Sequence, residues 1–75
     1  MLKTMDLQET FLSRACQQRE AVTMFLMNGF QMRGRITGFD PAVVVLMTEQ
    51  KQQVIYKHAI STIVPEHALD LRGDT

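Results

Sequence analysis

The stretch YKHAIST, residues 56–62, joins the last two predicted strands of the chain. The run that ends at Tyr56 has the composition of a β-strand, and residues 59–64 have it again. Only Lys57 and His58 remain between the two runs, so the chain must change direction at these residues. We therefore expect a fixed cation and a titratable imidazole to be held at a tight corner, with the Tyr56 phenol beside them.

An amphipathic helix is predicted at residues 6–19, ahead of the strands. Asp6 and Glu9 have the spacing of a capping box, which satisfies free N–H groups of the first helical turn. The apolar face of this helix, at helical spacing, consists of Leu7, Phe11, Leu12, Ala15 and Cys16. The pattern predicts a helix that lies on one end of a barrel.

Segments with strand character follow the helix, separated by closely spaced turn signals. Asn28-Gly29 predicts a type I′ hairpin turn, because both central residues of that turn need positive φ. Gly34 and Gly38 inside the second strand predict sharp bending. The strand segments are residues 21–27, 30–39, 43–47, 53–56 and 59–64, of which 43–47 is apolar throughout and is expected to be covered on both faces. The fold class is therefore mainly β with one N-terminal helix, a small, strongly bent five-stranded open barrel.

Length and composition limit the chain to one small domain. The 75 residues predict a folded domain at 1–65 and a short disordered tail at 66–75. A core this small is marginal, so we expect a homo-oligomer. Cys16 is the only cysteine, which excludes a disulfide within the chain and favours a cytoplasmic location. We expect no metal, no cofactor, no signal peptide and no membrane span.

The formal net charge of zero hides an uneven distribution. From Glu66 onward the tail holds three acidic residues and one arginine. The remaining part of the chain has seven cations and five anions, a net charge of +2. A polyanion responds to such local placement more than to the total charge, so a nucleic-acid partner is compatible with the composition.

The chain resembles Hfq, the bacterial Sm-like family of RNA chaperones. The resemblance covers about residues 7–65 and is carried by the YKHAIST run together with Gln8, Phe11-Leu12, Asn28-Gly29 and Phe39-Asp40. It implies a homohexameric ring with the helix on one face. It also implies single-stranded RNA as the partner, both small regulatory RNAs and mRNAs, in post-transcriptional regulation.

The resemblance implies a proximal site for uridine-rich RNA around the pore of that ring. The matching positions are Gln8, Asp40, Ala42, Tyr56, Lys57 and His58. Lys57 suits a phosphate and the carboxamide of Gln8 suits a base edge. The residues alone would also allow a solvated turn at Lys57 and His58, and packing of Tyr56 at a subunit boundary. Ala42 stands where the family usually has an aromatic residue, so we expect weaker binding of uridine tracts.

A distal site for adenine-rich RNA is also implied. The matching positions are Phe25, Asn28, Gly29, Phe30, Met32, Arg33, Gln53 and Thr62. Aromatic rings can stack on adenine, and amide side chains can pair with its edge. A core role for Phe25, Phe30 and Met32 remains open. Arg33 replaces what is often a glutamine in the family, and we expect it to contact phosphate more than a base edge. We also expect the distal face to bind RNA more strongly than the proximal site.

RNA binding at the lateral rim is expected to be weak. The segment that is often an arginine cluster in the family has only Arg19 here, and Arg14 lies one turn earlier. The sequence therefore does not predict that the protein promotes annealing of RNA strands.

The sequence does not indicate an enzyme. Cys16 is expected to be buried, His58 has no evident acidic partner, and Asp40 is expected to cap a turn. The alternative function is a small SH3-like barrel that acts as a protein-binding or assembly scaffold. Its peptide groove would favour clusters of Trp and Tyr, whereas this chain has no Trp and one Tyr.

Overall fold

The computed structural model of the protein describes residues 7–72, with one helix ahead of five strands. The elements are α1 (Leu7–Gln18), β1 (Ala21–Leu26), β2 (Gln31–Phe39), β3 (Val43–Thr48), β4 (Lys51–Tyr56) and β5 (Ile60–Pro65), with a 3₁₀ turn, Lys57–Ala59, between β4 and β5. This confirms the predicted fold class. No helix in this part of the chain is long and apolar enough to cross a membrane.

The five strands form one antiparallel sheet in the order β4-β3-β2-β1-β5. The two strands on either side of the 3₁₀ turn therefore lie at opposite edges of the sheet. The predicted tight corner at Lys57 and His58 is present as this 3₁₀ turn, and the structure adds that the turn joins the two edge strands of the sheet. Within residues 7–72, β4 pairs with β3 alone and β5 with β1 alone, so each has one edge free to pair.

The core lies between α1 and the inner face of the bent sheet. Leu7 is 67% exposed, so the predicted apolar face of the helix begins only at its second turn. Asp6 of the predicted capping box lies outside the described residues. The buried apolar side chains are Leu12, Ala15, Val22, Met24, Ile36, Val44, Leu46 and Ile55.

The turn between β1 and β2 is a hairpin, as predicted, but it is not of type I′. Gly29 has φ +94°, whereas Asn28 is not among the described residues with positive φ. The Gly29 N–H donates to the Leu26 carbonyl at 2.9 Å, and the Phe30 N–H donates to Asn28 Oδ1 at 3.0 Å. This side-chain bond holds Asn28 as an Asx turn, so only the glycine takes the left-handed conformation.

The bend of β2 comes from a register shift between Ile36 and Gly38 in its pairing with β3. Gly34 serves a different purpose. A Cβ at this position would lie 2.3 Å from the Met47 carbonyl oxygen, so a glycine lets the two strands approach. The expectation that the third strand is covered on both faces is wrong for the single chain, since Val44 is buried but Met47 is exposed.

Residues 66–72 have no helix or strand, but they contact the folded domain. The Glu66 N–H donates to the Ala21 carbonyl at 2.9 Å, and Leu69 packs against the core. His67 donates its backbone N–H to Glu20 Oε2, and its Nδ1 lies 3.2 Å from the same oxygen. Disorder of the tail stays a prediction.

Candidate nucleic-acid interface

Lys57 is held at the start of the 3₁₀ turn by its backbone and by an aromatic ring. Its N–H donates to the Ala42 carbonyl at 2.9 Å, which ties the turn to the start of β3. Its Nζ lies 5.7 Å from the centroid of the Phe39 ring, within the range of a cation–π contact. The ammonium group therefore has a defined position above the end of β2.

Three of the predicted proximal residues line one open pocket beside this ammonium group. The pocket is lined by Gln8, Glu9, Phe39, Asp40, Pro41 and Lys57. It combines the Gln8 amide, the Lys57 cation and the Phe39 ring. These groups can contact a base edge, a phosphate and a base face, respectively. Gln8 and Lys57 also line a second, more apolar pocket between α1 and β5.

Asp40 caps the turn between β2 and β3, as the sequence predicts. Its Oδ1 accepts the N–H of Ala42 at 2.8 Å and of Val43 at 2.9 Å. The hydrogen bond from Val43 and then that from Ala42 lower the pKa of the Asp40 carboxyl below its usual value. Desolvation opposes this shift, and the charge of Lys57 adds a smaller lowering. The carboxylate is therefore ionised at neutral pH and occupied by backbone donors, which leaves it a poor general base.

Tyr56 and His58 form a stacked pair. Their ring centroids lie 5.7 Å apart with planes inclined by 18°. Tyr56 is 59% exposed at the end of the edge strand β4, so most of its ring is uncovered in the single chain. This exposure is what a packing position at a subunit boundary would require. Ala42 is also exposed and has only a methyl group to offer a base.

The predicted distal residues centre on Phe25 in β1. In the sheet register Phe25 lies opposite Gln31 of β2 on one side and opposite Thr62 of β5 on the other. Side chains at paired positions project from the same face of a sheet, so these three share the outer face. Phe30, at the end of the adjacent turn, is 67% exposed.

Met32 and Gln53 do not join this group in the single chain. Met32 pairs with the fully buried Met24, is half-buried and packs against the core, which favours a core role, and its contact with RNA stays a prediction. Gln53 lies in the opposite edge strand β4, where its Nε2 donates to Thr48 Oγ1 at 3.0 Å. The distal set is therefore incomplete within one chain.

The two predicted rim cations have different surroundings. Arg14 donates through Nη1 to the Asp70 carbonyl and through Nη2 to the Arg72 carbonyl, both at 3.1 Å, so it is tied to the tail. Arg19 follows α1 with φ +52°, and its carbonyl accepts a 3.1 Å hydrogen bond from Nε of Arg35.

Two residues near these sites were not among the predicted site residues. Phe39 supports the Lys57 ammonium group, and Arg35 contacts the residue that ends the helix. The alternation Arg33-Gly34-Arg35 in a strand already indicates that both arginines project from one face. The contact of Phe39 depends on the chain crossing from β4 to β5, and the sequence alone gives no signal for it.

Metal-binding groups do not assemble in the part of the chain that the structure describes. No cluster of three or more His, Cys, Asp or Glu side chains in residues 7–72 is placed to hold a metal ion. Cys16 was expected to be buried but is half-buried, because it lies at the border of the core and the surface of α1.

Comparisons with known proteins place the chain in one family. The family model described as Hfq protein matches residues 7–70. The RNA-binding protein Hfq of Bacillus pumilus (strain SAFR-032) is 49% identical over 70 residues, covering 93% of this chain and 96% of that protein. The RNA-binding protein Hfq of Shouchella clausii (strain KSM-K16) is 43% identical over 74 residues, covering 99% of this chain and 96% of that protein.

Solved structures agree with this assignment. A crystal structure of the pleiotropic translational regulator Hfq aligns with a TM-score of 0.77 and 44% identity, covering 79% of this chain and 98% of that chain. An Hfq protein from Anabaena sp. aligns with a TM-score of 0.72 and 27% identity, covering 79% of this chain and 95% of that chain. Together, the helix followed by a five-stranded bent sheet, the matched model and the identity over nearly the whole chain show that this protein belongs to the Hfq family.

Proposed function

We propose that the protein is an RNA chaperone that assembles into a hexameric ring. It binds adenine-rich RNA on the distal face and uridine-rich small RNA at the proximal face and pore, and it acts as a post-transcriptional regulator in the cytoplasm. Support comes from the relatives, which are named RNA-binding proteins, and from a structural neighbour named as a translational regulator. The prediction that the chain is not an enzyme is confirmed by this family.

The free edges of the sheet support a ring. β4 and β5 each have one unpaired edge, and antiparallel pairing of β4 in one chain with β5 in the next would satisfy both. Val54 and Tyr56 of β4 are 59% exposed, and Val64 of β5 is 47% exposed. Burial of these side chains against a neighbouring chain would extend the small core of each protomer.

Ring closure also explains the incomplete distal set. Gln53 and Thr62 lie in the two edge strands, β4 and β5, which do not pair with each other within one chain. Edge pairing would place β4 of one chain beside β5 of the next and bring the Gln53 amide towards the Thr62–Phe25 pair. An adenine pocket with an aromatic ring, a hydroxyl and an amide would then lie at each subunit boundary.

The pocket of Gln8, Asp40 and Lys57 supports the proximal site. Rotational symmetry would repeat the Lys57 ammonium group around the pore, where the cations repel one another and an RNA backbone relieves the repulsion. Gln8 would supply the base contact. With Ala42 in place of an aromatic residue, the site lacks one face of a base stack, so phosphate contacts carry more of the affinity.

The observation that carries the proposal is the exposure of Phe30 beside the Asn28-Gly29 turn. Two-thirds of this ring is in contact with solvent, although an apolar ring is ordinarily more stable inside a core. An exposed aromatic ring next to backbone groups that are open to solvent is a stacking platform for a single-stranded base. The adenine-rich face is therefore expected to be the stronger of the two.

Native mass spectrometry combined with competition binding tests the proposal. The chain should form a hexamer that takes up oligo-A and oligo-U at the same time, and unlabelled oligo-A should not displace labelled oligo-U. Lys57→Ala should weaken oligo-U binding, and Lys51→Ala, which removes an exposed cation from the start of β4, is the matched control. Mutual displacement of the two oligonucleotides would contradict two separate faces. Absence of any binding at low salt would favour the scaffold alternative.

A further inference from the structure

Residues 66–72, which we call the tail strap, follow the last strand and are attached to the folded domain from their first residue. The Glu66 N–H donates to the Ala21 carbonyl at 2.9 Å. The next residue, His67, donates its backbone N–H to the Glu20 carboxylate, whose side chain is only 12% exposed. The tail strap has no helix or strand of its own, so its path is set by its hydrogen bonds to other parts of the chain.

Two leucines form the inner side of the tail strap. Leu69 and Leu71 are half-buried, whereas the residues beside them, Ala68, Asp70 and Arg72, are exposed. Leu69 packs against the hydrophobic core of the domain. Alternate side chains of an extended segment project to opposite sides, so this pattern gives the strap one apolar side that lies on the domain. Lifting the strap would expose this side to water, which favours the closed position.

Arg14 fastens the far end of the tail strap to α1. Its Nη1 donates to the Asp70 carbonyl and its Nη2 to the Arg72 carbonyl, both at 3.1 Å. The Asp70 side chain shapes this end of the strap, because its Oδ1 accepts the Arg72 N–H at 3.0 Å and its Oδ2 lies 3.0 Å from Nη2 of Arg72. The resulting turn presents two carbonyls to one planar guanidinium group, which can donate to both at once.

We propose that residues 66–72 are a strap that opens and closes as one unit over α1, with Arg14 as its latch. The first hydrogen bond of the closed strap is to the start of β1 and its last ones are to the middle of α1, so the strap fastens the helix to the sheet. The sequence predicts disorder for residues 66–75, and the strap replaces that disorder for residues 66–72. This device does not depend on RNA binding, so it goes beyond the proposed function and is tested separately from it.

The arrangement of the contacts explains why the tail strap opens as a unit. The hydrogen bonds of Arg14 and His67 lie at the protein surface, where water competes with them. Segments attached in this way open locally at a lower free energy than global unfolding. The packed side chain of Leu69 lies between the two polar attachments, so the loss of one attachment weakens the hold of the other.

Amide hydrogen exchange of the full-length chain, followed by NMR, tests the strap. The reporters are the N–H groups of Glu66 and His67, which should exchange more slowly than in an unstructured peptide. Arg14→Gln removes the guanidinium group at the other end of the strap and should accelerate both reporters about fivefold or more. Residue 14 is not a sequence neighbour of either reporter, so the substitution leaves their intrinsic exchange rates unchanged. Lys51→Gln, which removes an exposed cation at the start of β4, is the matched control and should leave both rates as they are.

Leu69→Ala is the second variant and decides the question if circular dichroism shows that Arg14→Gln does not fold. It should accelerate the same two reporters, because it removes apolar contacts between the strap and the core. Exchange of Glu66 and His67 at the rate of an unstructured peptide in the wild-type chain would overturn the closed strap. Unchanged reporter rates in either folded variant would overturn opening as one unit, since the far end would then fray alone. Equal acceleration of the amides of β1 would also overturn it, because the substitution would then act through global unfolding.

Discussion

Truncation of Phe30 tests the distal assignment with little damage to the fold. Phe30 is 67% exposed, so Phe30→Ala removes only about a third of the contact area that a buried phenylalanine would lose. Since Phe→Ala in a core costs about 3–5 kcal/mol, the stability cost here is about 1 kcal/mol. A base stacked on an aromatic ring contributes about 1–3 kcal/mol. The variant should therefore lose about 5- to 150-fold in oligo-A affinity for each stacked base and remain folded.

Fluorescence anisotropy with labelled oligo-A measures this loss, and thermal unfolding measures the stability cost. Met27 gives a matched control, because it lies in the same turn, is 69% exposed and has no ring. Met27→Ala should change the free energy of unfolding about as much as Phe30→Ala and should leave the oligo-A affinity within about twofold of the wild-type value.

Two outcomes would refute the reasoning. If both variants bind oligo-A as the wild type does, Phe30 is not a stacking platform, and the distal assignment is wrong. If both variants lose affinity together with the hexamer, the turn contributes to assembly and not to base stacking. A selective loss in Phe30→Ala with the oligomer intact is the only result that agrees with a base on this ring.

Three further predictions concern other positions. Ala42→Phe should tighten oligo-U binding about 5-fold or more by restoring one base stack, and fluorescence titration would show no gain if the proximal pocket does not hold a base. Gly34→Ala should lower stability by at least about 1–3 kcal/mol, because its Cβ would lie 2.3 Å from the Met47 carbonyl oxygen; an unchanged urea midpoint would contradict this close approach. The lowered pKa of Asp40 adds stability that is present above its unfolded value of 3.8 and is lost as the pH falls through the folded value. Asp40→Asn keeps an acceptor without the charge, so thermal melts taken from above pH 3.8 downwards through the folded pKa should show a smaller acid-induced loss than in the wild type, and an equal loss would exclude this linkage.

The residue pattern predicted the strands, but it did not predict which strands pair with each other. Alternation in β2 and the apolar run of β3 are local signals, and both strands form near the predicted positions. The type of the first turn was wrong because the Asn28 side chain bonds the Phe30 N–H, and this bond outweighs the preference of Asn-Gly pairs for type I′. The corner at Lys57 forms as predicted, but the sequence did not show that it joins the two edge strands, because strand order is a property of the whole sheet.

Only part of the candidate site could likewise be predicted from the sequence. Gln8, Asp40 and Lys57 are far apart in the sequence, and only the family resemblance placed them together before the fold showed a shared pocket. Met32 was ambiguous because a strand face cannot be assigned to core or solvent until its partner is known, and that partner is the buried Met24. The tie of Arg14 to the tail carbonyls could not be predicted, since residues 66–72 have no periodic pattern.

The position of the YKHAIST run at the end of an edge strand links RNA binding to assembly in the proposed ring. Tyr56 is the last residue of β4, and 59% of its surface is exposed at the edge of the sheet. Its ring stacks on that of His58, which follows Lys57 in the chain. A neighbouring chain that covers Tyr56 would therefore also restrict the motion of the imidazole at the pore. Conversely, RNA that bridges several copies of Lys57 favours the closed ring, because bound phosphate removes the repulsion between the cations. Uridine-rich RNA should thus stabilise the oligomer against dilution, and a pore that binds RNA without this effect would contradict the coupling.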